Sequence, residues 1–149
     1  MPGVRVIGIG HPDRGDDAAG LLVVRQLRHR CPGADLQTHT GDGLSLVAMW
    51  DSASSVILVD AMDSGDPPGM VRRFDQPSAL ETVVFSRSTH RFGLAEAIQM
   101  AAQLERLPPL WIVYGIAGRA FGLGDQISPS VEEAVFRLAQ ELERYIMPA

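Results

Sequence analysis

Two carboxylates and one imidazole carry the chemistry this chain can do: Asp17, Asp60 and His90. Each falls just beyond an apolar run that reads as a β-strand, or in the loop entering the next helix. Such loops open on the carboxyl edge of an α/β sheet, where ligand sites are built. Two oxygen donors and one imidazole nitrogen suit a borderline divalent cation such as nickel, zinc or cobalt, and three protein ligands leave positions open for an incoming group. An open site implies work on a bound ligand. Each residue alone has a plainer reading. Asp16 or Asp17 can cap the following helix, an acid at the end of a parallel strand can close a turn, and a histidine flanked by Thr89 and Arg91 can be solvated. Capping accounts for one acid of the Asp16-Asp17 pair and leaves a second carboxylate crowded against it. Desolvation and like charge would raise its pKa unless a cation neutralised it. The case for a site rests on convergence of all three groups at one sheet edge.

The elements that must position these groups follow from the apolar pattern. Val4 to Ile9, closed by Gly10-His11-Pro12, reads as a buried central strand. Ala18, Leu21, Leu22, Val24 and Leu27 give the next helix an apolar face, and Cys31-Pro32-Gly33 stops it. Asp35 to His39 is a shorter, more polar strand, as an outer strand can be, and Leu44 to Trp50 is a short helix. In Ser55-Val56-Ile57-Leu58-Val59-Asp60 an unbroken apolar run delivers an acid at its carboxyl end, the pattern of a strand buried on both faces. Asp63 to Gly69 is turn chemistry, followed by Met70 to Phe74 and Thr82 to Ser86 as two strand candidates. Leu94, Ala97, Ile98, Ala101 and Leu104 recur at helical spacing, and Pro108-Pro109 ends that helix before a strand from Leu110 to Ile116. Ser128 is a natural N-cap with Pro129 at the first helical position, and Val131, Ala134, Val135, Leu138, Leu142, Tyr145 and Ile146 form one stripe. Strands alternating with helices predict a three-layer α/β/α sandwich with a mainly parallel sheet, a single domain over residues 1–149.

Bulk properties narrow the partners. The formal charge of −5 leaves no chain-wide basic surface for nucleic-acid phosphates. The chain has no apolar run of membrane-spanning length and no signal-peptide pattern, which predicts no membrane partner and a cytoplasmic location. The single cysteine, Cys31, allows no internal disulfide and no cysteine-rich zinc cage, and its simplest role is structural. Gly8-x-Gly10 after the first strand invites a dinucleotide reading, but the third glycine of that fingerprint is replaced by Asp13. With Asp16 and Asp17 close behind, phosphate would be repelled from the helix start that ought to hold it. No Gly-x-Ser-x-Gly elbow occurs, and Cys31 lies on the wrong end of its helix, so a covalent nucleophile is disfavoured.

Gly8-Ile9-Gly10-His11, then Asp16-Asp17-Ala18-Ala19-Gly20, then Val59-Asp60-Ala61-Met62 with Pro68-Gly69, then His90-Arg91-Phe92-Gly93-Leu94 together resemble the hydrogenase maturation proteases. The resemblance runs in order through nearly the whole chain, and it implies a twisted sheet of about five strands between helices. It also implies an aspartyl-type endopeptidase that removes a short C-terminal extension from the large-subunit precursor of nickel-iron hydrogenase after nickel insertion. By motif, the family's nickel-binding carboxylate in the first loop, Asp after the central strand and His before the next helix fall on Asp17, Asp60 and His90. The nickel ion would be carried by the precursor, completing its coordination on these residues. Two departures bear on this. The family usually has Asn where this chain has His11, which could alter loop hydrogen bonding or supply a further ligand. The family's Gly-Gly-Thr-x-Gly loop is replaced by His39-Thr40-Gly41-Asp42-Gly43, which puts substrate choice in question more than chemistry class; His39 and Asp42 also read as a polar turn and a helix cap. The departures leave a further reading, a nickel-recognising accessory protein for hydrogenase assembly without peptidase activity, and Gly8-x-Gly10 leaves a third, a generic nucleotide-binding α/β module.

Overall fold

A computed structural model describes residues 3–51, 53–85 and 92–147 of the chain. Strand β1 (Val4–Ile9) leads through a 3-10 turn (Gly15–Ala18) into helix α1 (Ala19–Arg30). Then follow β2 (Asp35–His39), α2 (Gly43–Met49), β3 (Ser55–Met62) and β4 (Val71–Phe74). A second 3-10 turn (Pro77–Leu80), helix α3 (Leu94–Gln103), strand β5 (Leu110–Ala117) and helix α4 (Pro129–Ile146) complete the order. The strands form one five-stranded sheet in the order β2-β1-β3-β5-β4. Its first four members are parallel, and β4 closes the far side antiparallel to β5.

Side-chain alternation along the strands sorts the core into two layers. Val4 and Val6 of β1, Ile57, Val59 and Ala61 of β3, and Ile112, Tyr114 and Ile116 of β5 pack with α1 and α4. Ile7, Ile9, Val56, Leu58, Met62, Val113 and Ala117 pack on the other face with α2 and α3, including Leu46, Trp50, Leu94 and Ile98. Helices therefore cover both faces of a mainly parallel sheet, the three-layer arrangement that the alternating pattern predicts. All eight residues of β3 are buried, which is why its sequence is an unbroken apolar run up to Asp60. No helix among the described residues is long and apolar enough to cross a membrane.

One strand expectation changes. The Thr82 to Ser86 candidate does not form a ladder among the described residues: Phe85 makes an isolated antiparallel bridge to Met62, and the Asp63 N–H donates to the Val84 carbonyl at 2.8 Å. Position 86 lies outside the described residues. The Gly118 to Gly124 stretch is tied to the segment between β1 and α1. Its Ala120 carbonyl accepts from the Asp16 N–H at 2.7 Å, and its Gly124 N–H donates to the Asp13 carbonyl at 2.8 Å.

The glycines that suggested a phosphate loop serve close packing instead. A Cβ on Gly8 would collide with the Gly20 carbonyl and Val24, and one on Gly10 would collide with the Asp17 carbonyl. A Cβ on Gly20 would collide with the carbonyl oxygens of Ile9 and Val59, which belong to two strands and cannot step aside. The start of α1 thus rests directly on the strand backbones. Gly20→Ala gains roughly 1 kcal/mol in helix propensity but loses more to overpacking, so it should lower stability by about 2 kcal/mol or more. A urea-midpoint measurement checks the sign.

Candidate active site

The 3-10 turn carrying Asp16 and Asp17 is buried at the carboxyl edge of the sheet. From the β1 side it is held by the His11 N–H, which donates to the Asp17 carbonyl at 3.3 Å, and by the close approach of Gly10. Within the turn, the Asp17 N–H donates to the Arg14 carbonyl at 3.0 Å.

The two acids do different work, and neither caps its own helix: no side-chain cap is made at the start of the turn or of α1. Asp16 is fully buried. Its Oδ2 accepts from the backbone N–H groups of Arg119 at 2.8 Å and Ala120 at 2.9 Å and from the Ser128 hydroxyl at 2.8 Å. Its Oδ1 accepts from the Ser128 N–H at 2.7 Å. Burial pushes the Asp16 carboxyl up, but the backbone donors of Arg119, Ser128 and Ala120 and the Ser128 hydroxyl outweigh it and hold the group below the usual carboxylate range. Ser128 does occupy the N-cap of α4, yet its hydroxyl is turned to Asp16 rather than to its own helix. This corrects the capping expectation for both residues. A carboxylate supplied from far away in sequence does the job that a local side chain was expected to do.

Asp60 sits two residues inside β3 rather than beyond its end, because Ala61 and Met62 continue the ladder opposite Ile116 and Ala117. It lies opposite Gly115 and is only 2% exposed. Its Oδ1 accepts from the Ala61 N–H at 2.8 Å. Burial, and after it the negative charge of Asp17, push the Asp60 carboxyl well above its ordinary value, against the smaller opposing effect of the Ala61 N–H. The structure therefore brings two of the sequence-singled residues, Asp17 and Asp60, within electrostatic reach of each other. His90 lies outside the described residues, and among the described residues no group of three His, Cys, Asp or Glu side chains is arranged to hold a metal ion. The chain is described again from Phe92, whose carbonyl accepts from the Gly43 N–H at 2.8 Å, just ahead of α3. The donor chemistry suits a cation: a buried carboxyl opposed in its ionisation by a neighbouring carboxylate gains most from a positive charge placed between them.

The surrounding polar residues have local partners. His11 Nδ1 accepts from the Asp13 N–H at 3.1 Å. His39 Nδ1 accepts from the Gly41 N–H at 2.9 Å, and its Nε2 lies 2.9 Å from the Ser45 hydroxyl. Asp42 is the N-cap of α2, accepting from the Leu44 N–H at 3.4 Å. The polar-turn and capping readings of His39 and Asp42 hold. Cys31 closes α1 at the end opposite Asp17 and is 1% exposed, and burial raises its thiol pKa, so it is placed as a core residue. Asp16 is the residue that sequence reasoning missed. The available signal was redundancy, two acids where one cap suffices, but nothing marked the backbone donors of a distant loop as its partners.

The family model for hydrogenase maturation proteases matches residues 40–145. A curated relative, the hydrogenase expression/formation protein HupD of Thiocapsa roseopersicina, is 28% identical over 152 aligned positions, covering 93% of this chain and 69% of that protein. Among solved structures, the [NiFe] hydrogenase maturation protease HybD from Thermococcus kodakarensis superposes with a TM-score of 0.77 at 22% identity, over 97% of this chain and 99% of the other. The endopeptidase HycI from Escherichia coli gives 0.71 at 24% identity, over 95% and 90%. At these identities the structural likeness is one of fold.

The raised Asp60 value gives a testable sign. A carboxyl with a raised folded-state pKa binds its proton more tightly folded than unfolded, so it costs stability as pH rises from the ordinary carboxylate range through the folded value. Asp60→Asn keeps the acceptor for Ala61 and removes the buried charge. It should raise the melting temperature at neutral pH by a few degrees in metal-free buffer, and the gain should vanish as pH falls to the ordinary carboxylate range. Calorimetry across that pH range reads this out.

Proposed function

Because the chain belongs to the hydrogenase maturation protease family, we propose that it is the endopeptidase that removes the C-terminal extension of a nickel-iron hydrogenase large-subunit precursor once nickel has been inserted. Asp17, Asp60 and His90 complete the coordination of the nickel ion that the precursor brings. The observation that carries this reading is the buried Asp60 carboxyl, whose ionisation is opposed by burial and by Asp17. A divalent cation arriving with the substrate relieves that opposition, so affinity for the precursor rises only after nickel insertion. Recognition of the metal then doubles as a check on assembly.

The protein's own contribution to cleavage is placement. Docking on a fixed pair of carboxylates brings the scissile peptide to one position at the sheet edge, and positioning of this kind lowers the barrier by removing orientational freedom. A divalent ion so placed can polarise the peptide carbonyl or a water as a Lewis acid. Cys31 does not supply a nucleophile. It is buried at the far end of a 12-residue helix, about 18 Å along the axis from the turn bearing Asp17. Hydrolysis by water is the remaining route, with the peptide C–N bond broken and a proton delivered to the departing amine.

The accessory-protein reading drew on His11 and on the altered Thr40 to Gly43 loop. His11 is engaged with the Asp13 N–H, and Asp42 caps α2, so both departures have local structural explanations. Incubation with nickel-loaded and nickel-free precursor separates the two readings. Mass loss in the loaded sample alone supports the protease, and a stable complex without cleavage supports the accessory role.

Single replacement of Asp17, Asp60 or His90 by Ala should slow trimming of nickel-loaded precursor on the order of a hundredfold or more. Mass spectrometry of the large subunit follows the reaction. Wild-type rates in all three variants would remove the proposal.

A further inference from the structure

Asp17 and Asp60 belong to different segments, and the site works only if their separation is fixed. One sits in a turn ahead of α1, the other inside β3. From the β1 side the turn is held by a long hydrogen bond from the His11 N–H to the Asp17 carbonyl and by the packing of Gly10. On the β3 side the start of α1 also rests on the Val59 carbonyl at Gly20, and the hydrogen-bonded connection runs through Asp16. Its carboxylate takes the N–H groups of Arg119 and Ala120, while its own N–H donates back to the Ala120 carbonyl. One residue before Arg119, the Gly118 N–H donates to the Met62 carbonyl at 2.9 Å, and Gly118 leaves no room for a side chain because a Cβ there would lie 2.7 Å from Asp16 Cβ. Met62 is two residues from Asp60 on the same strand. A continuous path therefore links Asp17 to Asp60 through Asp16, the 118–120 segment and Met62. Ser128, accepted at both its N–H and its hydroxyl, anchors the start of α4 to the same carboxylate.

We propose that Asp16 is a positioning residue of this site, a buried latch that fixes the turn bearing Asp17 against the β5–α4 connection and, through it, against the strand bearing Asp60. The inference rests on the reading of Asp17 and Asp60 as the groups that meet the precursor's metal. Asp16 itself touches neither substrate nor metal. Asparagine is isosteric with aspartate but cannot replace it, because four donors converge on two oxygens and an amide nitrogen would face at least one of them.

The test is trimming kinetics on nickel-loaded precursor by the full chain, at a temperature where circular dichroism shows each variant folded. Asp16→Asn should lower kcat about a hundredfold while KM stays within about threefold of wild type, since the lost element is alignment rather than contact area. Ser128→Ala removes one donor and should lower kcat by roughly three- to tenfold, and Ser128→Thr, which restores the hydroxyl, should recover it. Leu142→Ala, a buried α4 residue in the core between α1 and α4, is the control for loss of stability alone and should leave kcat near wild type. If Asp16→Asn fails to fold, the Ser128 pair decides. Wild-type kcat in Asp16→Asn or Ser128→Ala, or an equal fall in Leu142→Ala, overturns the latch. Asp17→Ala and Asp60→Ala run alongside. Full activity in those two overturns the site itself and the latch with it, whereas their inactivity beside an active Ser128→Ala overturns the latch alone.

Discussion

The structure depends on holding a carboxyl group where water cannot reach it. Asp60 is embedded in a strand whose every residue is buried, with a second acid close enough to oppose its ionisation. A folded domain gains nothing in stability from such an arrangement, because burial and the charge of Asp17 both oppose ionisation of Asp60 and the Ala61 N–H offsets them only in part. A positive charge placed between the two carboxyls would relieve that opposition. The β3 ladder with β1 runs to Val59, and the one with β5 carries on through Asp60 to Met62.

Around that constraint, the scaffold is built to bring chain segments unusually close. Gly8, Gly10 and Gly20 remove the side chains that would separate α1 from β1 and β3, and the turn bearing Asp17 can therefore sit against strand backbone. A dinucleotide fold uses similar glycines to admit a pyrophosphate. Here they admit a carbonyl and a helix, and an acid stands where phosphate would go. The same glycine spacing thus serves opposite electrostatics, and the acids beside it tell the two apart.

Most of the architecture was legible because burial leaves a periodic trace. The run Val56 to Val59 announces a strand covered on both faces, and the stripe from Val131 to Leu142 announces a helix lying on a core. Edges and ends were less legible. Asp60 marks a break in hydrophobicity but not the end of the strand, because pairing continues through two small or flexible apolar residues opposite β5. Phe85 carries strand-like chemistry yet finds only one partner, Met62. Of the candidate site, the nearness of Asp17 to Asp60 could be read, while His90 lies outside the described residues. The role of Asp16 could not. Three of its four donors are backbone N–H groups more than 100 positions downstream, and every residue but proline has such a group, so no residue type advertises those bonds.

The contact between the start of α2 and the approach to α3 has its own reach. Gly43 leaves no space for a Cβ beside the Phe92 ring and the Gly93 carbonyl, and its N–H is committed to the Phe92 carbonyl. Positions 43 and 92 are consequently locked into joint variation. A descendant that acquires a side chain at 43 must surrender the aromatic ring or displace the beginning of α3, so the end of the Thr40 to Gly43 loop cannot change independently of the segment leading into that helix.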